Sequence, residues 1–345
     1  MRILCVSVMR NEGPHLLEWL AHHRALGVTD FLIYTNDCED GTDTMLRALA
    51  GFGVVQRENP ATGKQSLQWQ ALKAAWRDPL RRGTDWVIGI DCDEFVALAP
   101  PLETLADLIA RMPEADAIAL PWRLFGHNGQ RLLQDAPTCA IFTRAAPRDL
   151  TYPASARAIK TLFRARGPFR QMGVHRPRNK PGAVPRWVSS AGQAMPGDFA
   201  QNDERILDFA QNHTAKLAIL NHYSVRSAMS FMLKRHRGLP NRKTKQIDLM
   251  YWVERNFNTV EADEIARHAA ATRAELARLY AVPGMGDLHR AAHAKHYALF
   301  DAMMRDEDAL RLYGRLLLAA DSTPLDARVT EDLIRRFRAR QSAAS

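Results

Sequence analysis

Trp86-Val87-Ile88-Gly89-Ile90-Asp91-Cys92-Asp93-Glu94-Phe95 is the stretch on which the reading of this chain turns. Its first five residues are apolar without a break, the pattern of a strand buried on both faces. Two acids follow at once. In extended chain, side chains two apart point the same way, so Asp91 and Asp93 are expected to project together from the strand's carboxyl end, with Cys92 turned inward. Ligands of open α/β sheets bind at that edge. Two carboxylates roughly 4 Å apart repel by about 4 kcal/mol at an effective dielectric of about 20. A divalent cation removes that cost, and a few hard oxygen donors suit Mg²⁺ or Mn²⁺. The plainer alternative is that these acids solvate a strand end or cap the next helix.

Working outward, the first third alternates apolar runs with amphipathic stretches. Ile3–Met9, Phe31–Thr35 and Gly53–Arg57 read as strands; Pro14–Leu26, Thr42–Ala50 and Ser66–Trp76 read as helices. That alternation predicts a mostly parallel sheet covered by helices on both faces. A helix over Leu102–Met112 and a strand over Ala115–Leu120 continue it. From Trp122 to Phe199 the pattern becomes irregular, rich in Pro, Gly and Arg, with strand candidates at Thr138–Thr143 and Ala158–Arg164. Leu217–Leu220 is a further strand, and Val225–Arg237 a basic amphipathic helix. Beyond Val260 the pattern is helical: Glu261–Tyr280, Asp287–Met304, Asp306–Leu318 and Leu325–Arg338.

The 345 residues carry a net charge of +9 and are 46% hydrophobic, which excludes general disorder. The longest apolar runs, Ile3–Met9 and Trp86–Ile90, fall far short of the ~20 residues of a membrane-spanning helix. No export signal is expected at the start, where Arg10-Asn11-Glu12 follows the first strand directly. Four cysteines without a CxxC pair suggest neither a disulfide framework nor a zinc site, and imply a reducing compartment. The basic balance suits anionic partners, but no module for DNA or RNA is present, so nucleic acid is not expected.

The Asp91-Cys92-Asp93 turn resembles the metal-binding motif of glycosyltransferases with the GT-A fold. Further blocks are similar to the family 2-like and family 92-like members: Arg10-Asn11-Glu12 with Leu16-Leu17-Glu18-Trp19-Leu20-Ala21-His22-His23, and Tyr34-Thr35-Asn36-Asp37-Cys38-Glu39-Asp40-Gly41-Thr42. After the acidic turn come Pro121-Trp122-Arg123-Leu124-Phe125-Gly126-His127-Asn128-Gly129 and Asn221-His222-Tyr223-Ser224-Val225-Arg226-Ser227. Lys234-Arg235-His236-Arg237-Gly238 completes the ordered set.

The resemblance implies an α/β, GT-A type sheet with a Rossmann-like nucleotide-binding half over 1–120, an acceptor half over 121–240, and a C-terminal helical region over 241–345. It implies a donor that is a nucleotide-sugar, UDP- or GDP-linked, with Mn²⁺ or Mg²⁺, and a saccharide or glycoconjugate acceptor. By carry-over, Arg10, Asn11, Glu12, Asn36 and Asp40 belong to the nucleotide loops, with Asp40 accepting a hydrogen from the base; Lys64, Gln65 and Gln68 are further donor contacts. Asp91, Asp93 and His222 would hold the metal. Trp122, Phe125, His127, Asn128 and His175 would shape the acceptor side, while Arg226 and Lys234 neutralise the diphosphate, with Arg235 and Arg237 nearby.

No carboxylate stands out as the catalytic base. Glu94 is expected to turn away from the donor, and Asp135, Asp203 and Glu204 lie in the irregular half. Competing readings are a non-catalytic binding protein of the same fold and an aspartyl-nucleophile phosphatase; Phe95 departs from the small residue the latter places there. The expected location is cytoplasmic; the helices after Val260 could cover the sheet edge, form a dimer or rest peripherally on anionic lipid at the inner face of a membrane, with packing against the catalytic half as the default.

Overall fold

The computed structural model describes residues 1–62, 65–209, 216–238 and 247–343. Nine strands form the main sheet: β1 (Ile3–Met9), β2 (Asp30–Thr35), β3 (Val54–Glu58), β4 (Trp86–Gly89), β5 (Glu94–Leu98), β6 (Ala117–Leu124), β7 (Ile159–Arg164), β8 (Trp187–Ser189) and β9 (Ala218–His222). Their spatial order is β3-β2-β1-β4-β7-β6-β9-β5, with β8 also on β6. The first four are parallel, Cys5 standing between Phe31 and Ile88. Antiparallel β7 then joins β4 to β6, and β9 runs parallel to β6 and antiparallel to β5. The sheet is therefore mixed, with the expected parallel half intact.

Alternation along β1 splits the core. Ile3, Cys5 and Met9 face one apolar cluster, shared with Leu16, Leu17, Trp19 and Leu20 of helix α1 (Gly13–Ala25). Leu4, Val6 and Val8 face the other, shared with Ala71, Leu72 and Ala75 of helix α2 (Leu67–Arg77). Both sheet faces are thus covered, which is why the strands read as unbroken apolar runs.

β6 is the seam between the halves. One of its edges carries β8 opposite Ala117–Ala119 and β9 opposite Trp122–Leu124. Pro121 lies where that edge passes from one strand to the other, which is how an interior strand tolerates a residue without an N–H. There the buried Ser190 hydroxyl donates to the Ala218 carbonyl at 2.6 Å.

Two expectations are corrected. Glu94–Leu98, not foreseen as a strand, is β5. Thr138–Thr143, expected as a strand, contains a short helix, Thr138–Ile141, because the Glu18 carboxylate accepts from the Thr138 and Cys139 N–H groups at 2.6 and 3.0 Å. The helices after Val260 appear as expected: α3 (Ala228–Arg237) precedes them, then α4 (Ala269–Tyr280), α5 (Met285–Met303), α6 (Glu307–Leu318) and α7 (Ala327–Ala343). α4 and α5 pack on α1, placing the C-terminal region against the first strand–helix unit. Among the described residues, no helix is long and apolar enough to cross a membrane.

Candidate active site

The acidic stretch is a tight turn, not extended chain. Ile90 still pairs with β1, and then Glu94 N–H donates back to the Asp91 carbonyl at 3.0 Å. The Glu94 carboxylate, fully buried, accepts from the Asp91 N–H at 2.7 Å and so clamps the turn from beneath. Asp91 and Asp93 nonetheless reach a common cavity of about 520 Å³ at the carboxyl end of β4, and Cys92 between them is buried in the apolar core, as expected.

The two acids are held differently. Asp91, 35% exposed, takes the Lys160 ammonium at 3.0 Å and the Gln68 amide at 3.3 Å. Lys160 also reaches Glu94 at 3.2 Å and is itself 2% exposed. Burial pushes the Glu94 carboxyl up to about 8 against the pull of Lys160. Against that same burial, Asp91 and Glu94 hold the lysine above its usual range. Asp93 is buried and takes the Lys234 ammonium at 2.6 Å, with His222 Nε2 at 3.8 Å. Burial would raise the Asp93 carboxyl, but Lys234 and His222 outweigh it and hold it well below the ordinary range.

Three metal ligands are not gathered here as expected. The ligand atoms of Asp91, Asp93 and His222 do not all approach within 4.8 Å of one another; among the described residues, Asp135, His289 and His293 do so. The cause is Lys160, which draws Asp91 toward β7. The chemistry of Asp93 and His222 nonetheless fits a divalent ion. His222 Nε2 is the nitrogen that lies near Asp93, and burial holds the imidazole below its usual pKa, in the neutral form that ligates metals.

Of the donor-side residues, Arg10, Glu12, Asn36 and Gln68 line the cavity. Glu12 is tied to Arg226 at 3.2 Å and to Arg237. Asn11, with positive φ of 52°, folds back so that its side chain accepts from Glu39 N–H at 2.8 Å. Asn11 and Asp40 face an adjoining cavity of about 180 Å³ instead. Both Asp40 oxygens are already engaged: one by the Thr42 N–H (2.9 Å) and hydroxyl (2.6 Å), the other by the Gly13 N–H (2.9 Å) and His296 (3.0 Å). Asp40 is thus a brace of the loop rather than an open acceptor for a base. Gln65 is exposed and away from the cavity; Lys64 lies outside the described residues.

Trp122 and His175 also line the cavity, next to His222, the indole ring centre 4.1 Å from that of His222 and 5.3 Å from that of His175. Phe125, His127 and Asn128 do not reach the cavity. Phe125 is buried against Tyr223. His127 bonds to Asn256 at 3.0 Å, and Asn128 donates to the Ile141 carbonyl at 2.9 Å, because the loop after β6 turns inward to meet the 256–258 segment. Arg226 donates to the Cys92 carbonyl at 2.7 Å and faces the smaller cavity, while Lys234 borders both.

Sequence reasoning missed Lys160, Tyr251, Glu254 and Arg255. Lys160 stands in a strand that also carries Thr161 and Arg164, so nothing local marked it. Arg255 stacks over Tyr251 with its guanidinium carbon 3.9 Å from the ring centre, and pairs with Glu254 at 3.0 Å on the cavity rim.

A glycosyltransferase family 92 protein of Oryza sativa subsp. japonica is 29% identical over 135 residues, covering 37% of this chain and 22% of that protein. One of Ricinus communis is 34% identical over 100 residues, covering 28% and 17%. The chain thus matches about a fifth of the length of these relatives. Among solved structures, Staphylococcus aureus TarS 1–349 is 12% identical with a TM-score of 0.32, covering 88% of this chain and 91% of that one. TarS 1–349 in complex with UDP has a TM-score of 0.29 at 16% identity, covering 48% and 47%. The family model "Glycosyltransferase family 92" matches residues 2–249, most of the chain, and the chain belongs to that family.

Proposed function

We propose that this chain transfers a sugar from a nucleotide-sugar donor to a saccharide or glycoconjugate acceptor in the 520 Å³ cavity. The observation that carries the reading is the Asp91-Cys92-Asp93 turn, opening at the carboxyl end of the parallel half into a cavity also walled by Arg10, Lys234, Arg237 and Arg255. Four cations gathered on one cavity, beside Glu12, Asp91, Asp93 and Glu254, suit a ligand that is a pyrophosphate ester rather than a neutral sugar alone.

Asp93 and His222 would hold a divalent ion, with Asp91 on the same wall; Mn²⁺ and Mg²⁺ both suit these donors. Such an ion supplies charge neutralisation for the leaving nucleoside diphosphate. Lys234 and Arg237 bind the same negative charge from the α3 side. Gln68 and Lys160 fix Asp91, and Glu12 fixes the arginines. Trp122 and His175 offer the flat apolar and polar faces that an acceptor sugar needs.

The test is a thermal melting series with UDP and GDP, with and without Mn²⁺. One nucleotide is expected to raise the melting temperature by several degrees only when metal is present, and Asp93→Asn is expected to remove the rise. Equal stabilisation in chelator would falsify the metal-assisted reading.

A further inference from the structure

Helix α5 carries His289 and His293, one turn apart and therefore on one face. Asp135, from the loop after β6, stands over both. Its Oδ1 lies 3.8 Å from His289 Nδ1 and 3.7 Å from His293 Nε2, and the two rings are 4.7 Å apart. The three ligand atoms all lie within 4.8 Å of one another.

We propose that Asp135, His289 and His293 form a divalent-metal site of zinc type, separate from the sugar-transfer cavity. Tetrahedral coordination with bonds of about 2.0–2.1 Å needs ligand atoms roughly 3.4 Å apart, within a few tenths of an ångström of two separations seen here. Two imidazoles and one carboxylate, leaving a position for water, suit zinc or its congeners better than Mg²⁺.

The surroundings are arranged for it. His289 Nε2 lies 3.2 Å from the Pro14 carbonyl, so the proton sits on Nε2 and the Nδ1 lone pair faces the cluster. An outer partner of that kind is what fixes a ligating histidine. The Tyr280 hydroxyl, 3.1 Å from the same Nδ1, competes for that lone pair and would be displaced. His293 Nε2 is buried and has no hydrogen-bond partner. Asp135, 71% exposed, leaves the site open to solvent. An ion here would tie the loop after β6 to α5, whose His296 and Lys295 brace the nucleotide loop at Asp40 and Glu39. It would be a clamp rather than part of the chemistry.

The experiment is titration of chelator-stripped, desalted full-length protein with Co²⁺, read by visible absorption, and with Zn²⁺ by calorimetry. Wild type and Asp93→Asn are expected to show the intense absorption of tetrahedral Co²⁺ and one tight equivalent. His293→Ala and Asp135→Asn are expected to lose that absorption and bind at least about tenfold more weakly. Asp135 is exposed, so Asp135→Asn keeps the test valid should the histidine variant misfold. Identical titrations for wild type and Asp135→Asn, or a signal lost in Asp93→Asn and kept in Asp135→Asn, would overturn the proposal.

Discussion

Lys160 is the side chain on which the acidic turn most depends. It is fully buried, and its ammonium is shared by Asp91 and Glu94, which sit on either side of the turn. Removing one member of a buried ionic set leaves the others uncompensated, at about 3–5 kcal/mol. Lys160→Met is therefore expected to lower unfolding stability by that amount in urea titration, and Glu94→Gln in the same chain to restore part of it. An unchanged midpoint in the single variant would remove Lys160 from this role. At this scale the sequence was informative in one direction only. Asp91 and Asp93 were legible because an apolar strand ending in two acids is locally unusual. Lys160 was not, since its partners lie 66 and 69 positions away and nothing local to β7 distinguishes a paired buried lysine from one reaching solvent. Asp40 was read as a ligand contact, and its hydrogen bonds to Gly13, Thr42 and His296 show why a short motif cannot separate ligand contact from brace.

Helix α1 is fastened to the sheet and to the C-terminal helices by polar contacts on a mostly apolar face. Trp19 donates to the Glu94 carbonyl at 3.0 Å. His22 reaches the Val96 carbonyl at 2.7 Å and Thr272 of α4 at 3.3 Å. Burial lowers the His22 imidazole to about 4, against the help of the Val96 carbonyl. The folded state therefore binds fewer protons than the unfolded one between pH 4 and the ordinary histidine value of 6.5. Its stabilisation is complete above about pH 6.5 and is lost as pH falls toward 4, a change of roughly 3 kcal/mol. In urea titrations the stability gap between wild type and His22→Gln is expected to narrow over that window; a gap as wide at pH 4 as at pH 7 would count against it. The parallel half of the sheet was legible because its strands, buried on both faces, read as apolar runs alternating with amphipathic helices. β5 was not, since its pairing partner β9 lies more than a hundred residues on, and the helix at Thr138 depends on a carboxylate from α1.

Across the whole molecule, the C-terminal helices complete the α1 side of the fold. A Cβ added at Gly13 would meet the Ala292 Cβ of α5 at 2.6 Å, so α1 and α5 approach as closely as a glycine permits. Gly13→Ala is expected to cost about 1–3 kcal/mol through overpacking. If α5 shifts to make room, the His296 bond to Asp40 weakens as well. Thermal melting checks the first effect, and the imidazole resonance of His296 in NMR spectra checks the second; a variant that melts with wild type would show that the contact is slack. The helices themselves were visible in the sequence, but their docking partner was not, because an amphipathic stripe records that a face is covered and not what covers it. The bond between Asp40 and His296 spans 256 positions of sequence. During synthesis the first strand and its loops leave the ribosome long before α5 exists. Until α5 has emerged, some 256 residues after Asp40, that carboxylate lacks its imidazole and Gly13 lacks its neighbour, so a nascent chain can assemble the parallel strands early yet can finish the loop at Asp40 only once α5 has been made.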